Sequence, residues 1–484
     1  MDMLWGDEAD ELLGKVGNGR IAVLWTVQVL LFVGARRLFR LMTTPKHVVP
    51  PRQTWLVVLL NWLLWPACLL ADYVRYKVPV VGRMLVRPLS LERLALLAEK
   101  RTGLKDWGKQ EEGFPALYEA AIERLNEVVP SPLGRLITFD YVLRRLMTRL
   151  EVIENAKKRP ERPELTKEPV FVMGLPRTGT TLLHRLLALD PAARYPKTYE
   201  LLDPLNSRNF SKEKRVAYLD KRLGLVKKLI PHIEAIHELG AEEAEECLLG
   251  LSVEVPLLPP TFRHLVRHCV QQKNDTPTPT SVSFPDFSNA YRLYKRQLQF
   301  LMEEDAEPKR WVLKCPAHLG FVSDLTSVFT DAKLVWTHRD PRDSLPSLGS
   351  LFRTFADMCE ANDVNLHAIG NEQLLYWSAA LARARRDTAN LPKGRVAHVA
   401  FDDLMADPIQ AVSRIYATFG WTVSPAFLAN MQDYLAKNHA QRTAVPKHLK
   451  AFHQYSLQEY GLDADHVKRT IGRDYYDAFL PGKF

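Results

Sequence analysis

The sequence predicts an α/β fold: a P-loop-like parallel β-sheet flanked by helices, preceded by an N-terminal helical, partly hydrophobic extension. Three observations lead there. An apolar run at residues 170–173 is followed by a turn bracketed by Gly174 and Gly179, then by a helix with Leu182, Leu183, Leu186, Leu187 and Leu189 on one face. Two later runs, Trp311-Val-Leu-Lys314 and Lys333-Leu-Val-Trp-Thr-His338, repeat the plan of a buried strand ending on a polar residue. Continuous apolar runs without alternation are the mark of strands covered on both faces, as in parallel sheets. The third observation is the contrast with residues 1–78, where uncharged segments alternate with a basic stretch.

Residues 1–20 are acidic and polar and lack the basic start of a signal peptide. Residues 21–35 and 55–71 are uncharged and mostly apolar, separated by Arg36, Arg37, Arg40, Lys46 and Arg52. Each falls short of the ~20 residues a spanning helix needs, while Trp55, Trp62 and Trp65 suit the headgroup level of a bilayer. A helical hairpin, two helices in the interface plane and buried helices of the extension all stay open. The expectation is membrane association through residues 21–71, with the catalytic domain cytosolic. Residues 79–166 have helical spacing and end in a charged linker containing Pro160 and Pro163, so the α/β domain is placed at 167–484.

Past the loop helix, Arg194-Tyr-Pro-Lys-Thr-Tyr-Glu200-Leu-Leu-Asp-Pro204 reads as the next strand and its C-terminal end, the edge where open parallel sheets bind ligands. In His237-Glu-Leu-Gly-Ala-Glu-Glu-Ala-Glu-Glu-Cys247, the acids Glu242, Glu243, Glu245 and Glu246 read as the start of a helix. No metal is expected, because a carboxylate metal site draws ligands from several helices and no second cluster is present. Residues 273–288 are a polar, Pro-rich loop, and residues 289–304 resume helical spacing. Arg339 and Ser347 are eight apart, a strand end and the first turns of a helix. Residues 395–401 form a further strand, and Asp463 caps a final helix.

The formal net charge of +9 favours an anionic ligand or a membrane surface, and no zinc-finger, basic-zipper or RNP pattern supports nucleic acid. Five dispersed cysteines without C-x-x-C spacing argue against a disulfide framework or structural zinc. At the glycine turn, backbone N–H groups and the helix dipole make an anion cradle. The Gly174-to-Gly179 spacing is that of a Walker A loop, but Thr180 stands in the place of its Lys and the cation is Arg177.

The stretch Gly-Leu-Pro-Arg177-Thr178-Gly179-Thr180-Thr181 after a strand resembles the 5′-phosphosulfate loop of sulfotransferases that use PAPS (3′-phosphoadenosine 5′-phosphosulfate), in the broad bacterial and algal branch whose loop carries Arg. The likeness runs from about residue 167 to the C-terminus. It implies sulfuryl transfer from PAPS to a hydroxyl, with a lipid, sterol, phenol or carbohydrate as acceptor and the apolar N-terminus favouring lipophilic ones. It also implies 5′-phosphate binding by residues 177–181 and 3′-phosphate binding by Arg339 and Ser347. A closing loop on the nucleotide would carry His453 and Tyr455. Arg177 and Lys314 would neutralise charge at the sulfuryl group, and the acidic stretch with Glu242, Glu243, Glu245 and Glu246 would wall the substrate pocket, as a similar stretch does in the family. Glu200 is the first choice as base and His318 the second, although an extra Pro-Ala pair shifts the register of His318. The rival readings are a P-loop kinase or NTPase, disfavoured by Thr180, and a non-catalytic nucleotide-binding membrane scaffold, which would tolerate loss of Glu200 and His318. The oligomeric state is not legible.

Overall fold

The computed structural model describes residues 59, 89–108, 114–127, 131–161, 164–165, 168–206, 208–229, 239–257, 261–270, 277–303, 307–359, 364–444 and 456–484. Apart from residue 59, the segment expected at a membrane, residues 21–71, lies outside them. Among the described residues, no helix is long and apolar enough to cross a membrane.

Helices α1 (Leu91–Thr102), α2 (Ala116–Glu127) and α3 (Pro132–Lys158) precede β1 (Val170–Gly174). Then come α4 (Thr180–Ala188), β2 (Ala193–Arg194), α5 (Thr198–Leu202), α6 (Lys212–Leu229), α7 (Thr261–Val270), α8 (Ser288–Met302) and β3 (Arg310–Lys314). The second half holds β4 (Lys333–His338), α9 (Pro341–Cys359), α10 (Leu366–Ala389), β5 (Val396–Ala400), α11 (Pro408–Phe419) and α12 (Ala464–Ile471). The strands pair in parallel in the order β2-β3-β1-β4-β5.

β1 is central and all five of its residues are buried. Successive strand side chains point to opposite faces, and the core divides accordingly. Phe171, Met173, Leu313, Leu334 and Trp336 pack with Tyr291, Leu298 and Trp377 of α8 and α10. Val170, Val172, Val312 and Val335 pack with Leu183, Leu186 and Leu187 of α4 and Val412 and Ile415 of α11. Helices on both faces explain why the strands read as unbroken apolar runs.

The helical segment ahead of the sheet belongs to one compact unit with it, residues 53–484. Arg145 of α3, 1 % exposed, donates to the carbonyls of Leu201 (3.2 Å), Leu202 (2.6 Å) and Leu249 (3.3 Å). Arg149, one turn on, forms a buried ion pair with Glu254. Asp463 caps α12 as expected, accepting from the His466 N–H at 2.7 Å.

Two local expectations need correction. The strand expected after α4 is only Ala193–Arg194, and Glu200 sits inside α5 rather than at a strand end. The acidic stretch does not open a helix: residues 241–247 are bends and an isolated bridge, with a single helical turn at Leu248–Leu251. Its backbone groups are taken across the chain instead. Thr198 N–H bonds Glu243 O (3.2 Å), Tyr199 N–H bonds Ala241 O (3.1 Å) and Glu245 N–H bonds Pro196 O (3.1 Å). Backbone satisfied by a partner segment has no need to coil.

Candidate active site

Every element of the site hangs from the C-terminal edge of the sheet. β1 ends at Gly174, beside Thr337 of β4, and a side chain at Gly174 would collide with the Thr337 hydroxyl. The turn that follows carries Arg177 at φ 71°, a left-handed conformation costly for a non-glycine residue and typical of functional turns. Gly179, at φ 85°, begins α4 without a side-chain cap, which leaves first-turn N–H groups for a ligand. The Thr178 hydroxyl is fully buried and engaged, donating to Leu175 O at 2.6 Å and lying 2.6 Å from Thr337 Oγ1. It therefore shapes the loop, and only the Thr178 N–H remains for an anion.

Arg177, Arg339 and Ser347 converge. Arg177 Nε donates to Ser347 Oγ at 3.0 Å, and Arg339 Nη1 donates to Arg177 O at 2.9 Å. The Arg339 guanidinium also lies 4.3 Å from the Phe401 ring centroid, at the end of β5. Phe401 packs beside Gly179 as well, where a Cβ would come within 3.3 Å of it. No motif in the sequence singles out Phe401, since only the parallel pairing of β4 and β5 brings it there.

Lys314 ends β3, is 2 % exposed, and forms an ion pair with Glu246. Its Nζ also donates to Thr181 Oγ1 at 3.3 Å, which joins it to the glycine loop. The Cys247 N–H donates to Lys314 O at 2.9 Å and fixes the acidic segment against β3. A cleft of about 390 Å³ opens at this point. Arg177, Thr180, Thr181, Glu245 and Glu246 line one part of it. The rest is apolar and comes from distant segments: Leu223 and Val226 of α6, Phe262 of α7, Leu348 and Phe352 of α9, and Trp377 of α10. The sequence expectation of a pocket wall at the acidic stretch matches this placement.

Neither residue chosen as base reaches the cleft. Glu200 is 3 % exposed, and both of its oxygens are occupied. Arg194 binds it with two N–H donors at 2.9 and 3.0 Å, Lys197 N–H donates at 2.8 Å and Tyr199 OH at 3.3 Å. A carboxylate so held fixes the entry to α5. His318 is fully buried in the core, its Nδ1 2.8 Å from Tyr291 OH and its ring edge-on to Phe171. Burial, reinforced by the Lys314 charge, lowers its pKa to about 3, so it is neutral. The extra Pro-Ala pair lengthens the turn after β3, and His318 falls on its inner side. His453 and Tyr455, like His237, lie outside the described residues.

A family model described as the sulfotransferase family matches residues 169–425, more than half of the chain. The omega-hydroxy-beta-dihydromenaquinone-9 sulfotransferases Stf3 of Mycobacterium bovis and Mycobacterium tuberculosis are both 22% identical over 319 residues, 65% of this chain and 76% of theirs. The crystal structure of sulfotransferase STF1 from M. tuberculosis superposes with a TM-score of 0.62 at 26% identity, covering 80% of this chain and 99% of that one. That of STF9 from Mycobacterium avium gives 0.66 at 24% identity, covering 81% and 97%.

Proposed function

The chain belongs to the sulfotransferase family, and from that premise we propose that it moves the sulfuryl group of PAPS onto the hydroxyl of a lipophilic acceptor seated in the cleft. The observation that carries the acceptor class is the cleft's lining. Its polar groups gather where Thr181, Glu245 and Glu246 meet, and leucines, phenylalanines and a tryptophan form the remainder. Such a site rewards an apolar body and orients one polar end. The Stf3 relatives, named for a hydroxylated dihydromenaquinone, lend support from outside.

In this reading the N–H groups of residues 177–181 hold the 5′-phosphate, and Arg339 with Ser347 holds the 3′-phosphate. Arg177 and Lys314 neutralise charge on the sulfuryl group and the bridging oxygen. Glu246 is the base. Lys314 exchanges its Glu246 partner for the donor, and the Glu246 carboxylate then accepts the acceptor's proton. The new O–S bond forms as the S–O bond to the 5′-phosphate breaks, and 3′,5′-ADP leaves with its electron pair. In-line positioning and charge stabilisation carry the rate, as in phosphoryl transfer. Residues 21–71 supply membrane association, the catalytic domain is cytosolic, and His453 with Tyr455 closes over the nucleotide.

The test is product formation from labelled PAPS, offered with long-chain primary alcohols, sterols, phenols and sugars. Sulfated long-chain alcohols or sterols are the expected products. Transfer to sugars alone would overturn the acceptor class. Tighter binding of ATP than of PAPS would favour a kinase-type loop instead.

A further inference from the structure

A lipophilic acceptor reaches an enzyme from a bilayer, so the question is which face of this chain meets the lipid. Helix α6 stands out, because its two sides have different neighbours. Leu223 and Val226 line the acceptor cleft. Lys214, Lys221, Leu225 and Lys228 are all exposed. At 100° per residue these four fall on one narrow stripe, since their spacings of seven, four and three are the helical repeats. Leu225 is 55% exposed, a large apolar side chain standing among lysines. The helix carries seven basic residues against two acidic ones, Glu213 and Asp220.

Basic side chains elsewhere on α6 are engaged. Arg222 binds Asp140 at 2.7 Å, Lys212 binds Glu242 at 3.1 Å, and Arg215 donates to Asp203 O at 2.7 Å. Lys214 lies 4.1 Å from the Phe210 ring centroid, which keeps an aromatic at the same end of the stripe. A solvated helix face would place Glu or Asp beside its lysines for i,i+4 pairing. On this stripe, lysines recur around a leucine, the pattern of helices lying in a charged lipid interface.

We propose that the Lys214–Lys221–Leu225–Lys228 face of α6 docks on an anionic lipid surface, with Leu225 entering the headgroup layer. The acceptor cleft is thereby held against the bilayer by its own wall. The proposal rests on the lipophilic-acceptor reading. It assigns α6 the task of orienting the catalytic unit, separately from any tether at residues 21–71. An apolar anchor together with a basic patch is the two-signal arrangement that gives stable membrane attachment.

The experiment uses the full chain and vesicles of phosphatidylcholine alone or with phosphatidylglycerol. Flotation measures partition, and transfer from labelled PAPS to dodecanol in detergent micelles measures chemistry without a bilayer. The wild type is expected to favour phosphatidylglycerol vesicles by at least about tenfold, each interfacial lysine contributing roughly fivefold. High salt should erase the preference. The variant Lys214→Glu/Lys221→Glu/Lys228→Glu should lose it while keeping its rate on dodecanol, and Leu225→Asp should weaken partition to both vesicle types. Retention of the full preference by the triple variant would overturn the proposal and assign it to the basic stretch at residues 36–52. Absence of dodecanol transfer in the wild type would instead strike the acceptor reading, while the flotation result stands by itself.

Discussion

Glu200 and Glu246 are the same residue type, both beside the sheet's C-terminal edge and both paired with a cation. Their surroundings differ in one decisive respect. Glu200 is 4% exposed at the side chain and receives four donors from Arg194, Lys197 and Tyr199. Glu246 is 20% exposed, lines the cleft, and has Lys314 as its cation. A carboxylate with every lone-pair direction occupied cannot take a proton without breaking the network that holds it. One with a single side-chain partner among the described residues can exchange that partner when substrate arrives. Position near the ligand edge is therefore insufficient to identify a base; exposure to the cleft and the count of its donors separate the two candidates.

Exchanging each acid for its amide separates the two most sharply. Glu246→Gln should lower turnover per folded molecule by roughly 10²–10⁴-fold, the usual scale for a general base, with PAPS affinity little changed, and it also costs stability because Lys314 loses its counter-charge. Turnover within a few-fold of wild type would remove Glu246 from the chemistry. Glu200→Gln should spare the rate. It takes the Glu200 charge from the partly buried Arg194 guanidinium, a loss of about 1.5–3 kcal/mol in stability, while turnover per folded molecule stays within about tenfold. A large rate loss at unchanged melting temperature would restore Glu200 as the base.

The donor side tests a third kind of contact. Arg339 is held against the loop by one bond to Arg177 O and by the Phe401 ring. Arg339→Ala should cost about 1.5–3 kcal/mol in PAPS binding if one charge-assisted bond to the 3′-phosphate is lost. The same substitution should leave the 3′-dephospho analogue nearly unaffected. Unchanged discrimination between the two nucleotides would show that Arg339 serves the loop alone.

The glycine loop and the Arg339–Ser347 junction were readable from the chain because each is local. Residues 174–181 lie in one turn, and Arg339 and Ser347 flank one strand–helix junction, so the spacing encodes the geometry. Four strands were legible too, as the apolar runs that became β1, β3, β4 and β5, whereas β2 meets its expected stretch at Arg194 alone because the chain turns into α5. The acceptor half left no such trace. Its wall gathers Leu223, Phe262, Phe352 and Trp377 from four helices, and in sequence each is an ordinary core residue. Glu200 misled because its neutralising partner, Arg194, lies six residues earlier in what read as the same strand. Glu246 was read as helix start and pocket wall, not as a base, because cross-chain backbone bonding to residues 196–199 is invisible in one dimension.

His318 completes the comparison as a titratable group buried without a counter-charge. Its folded pKa of about 3 lies below the ordinary value of 6.5, through burial first and the Lys314 charge second. Above pH 6.5 it is neutral in both folded and unfolded chains and has no effect on pH dependence. Below 6.5 the unfolded chain binds a proton that the folded chain refuses, so stability is lost as pH falls from 6.5 toward 3. At pH 5 this amounts to about 2 kcal/mol, from one and a half pH units at 1.36 kcal/mol each. His184 and His264, also with pKa values near 3, add to the same slope. His318→Gln removes the titration while keeping a polar atom for Tyr291. The variant should be less stable at pH 7, from disturbed packing, yet lose less stability than wild type between pH 7 and pH 5. Urea melts at the two pH values give the comparison. Equal losses in variant and wild type would mean that His318 opens to water and is protonated in the folded protein, where a role at the cleft would again be open to it.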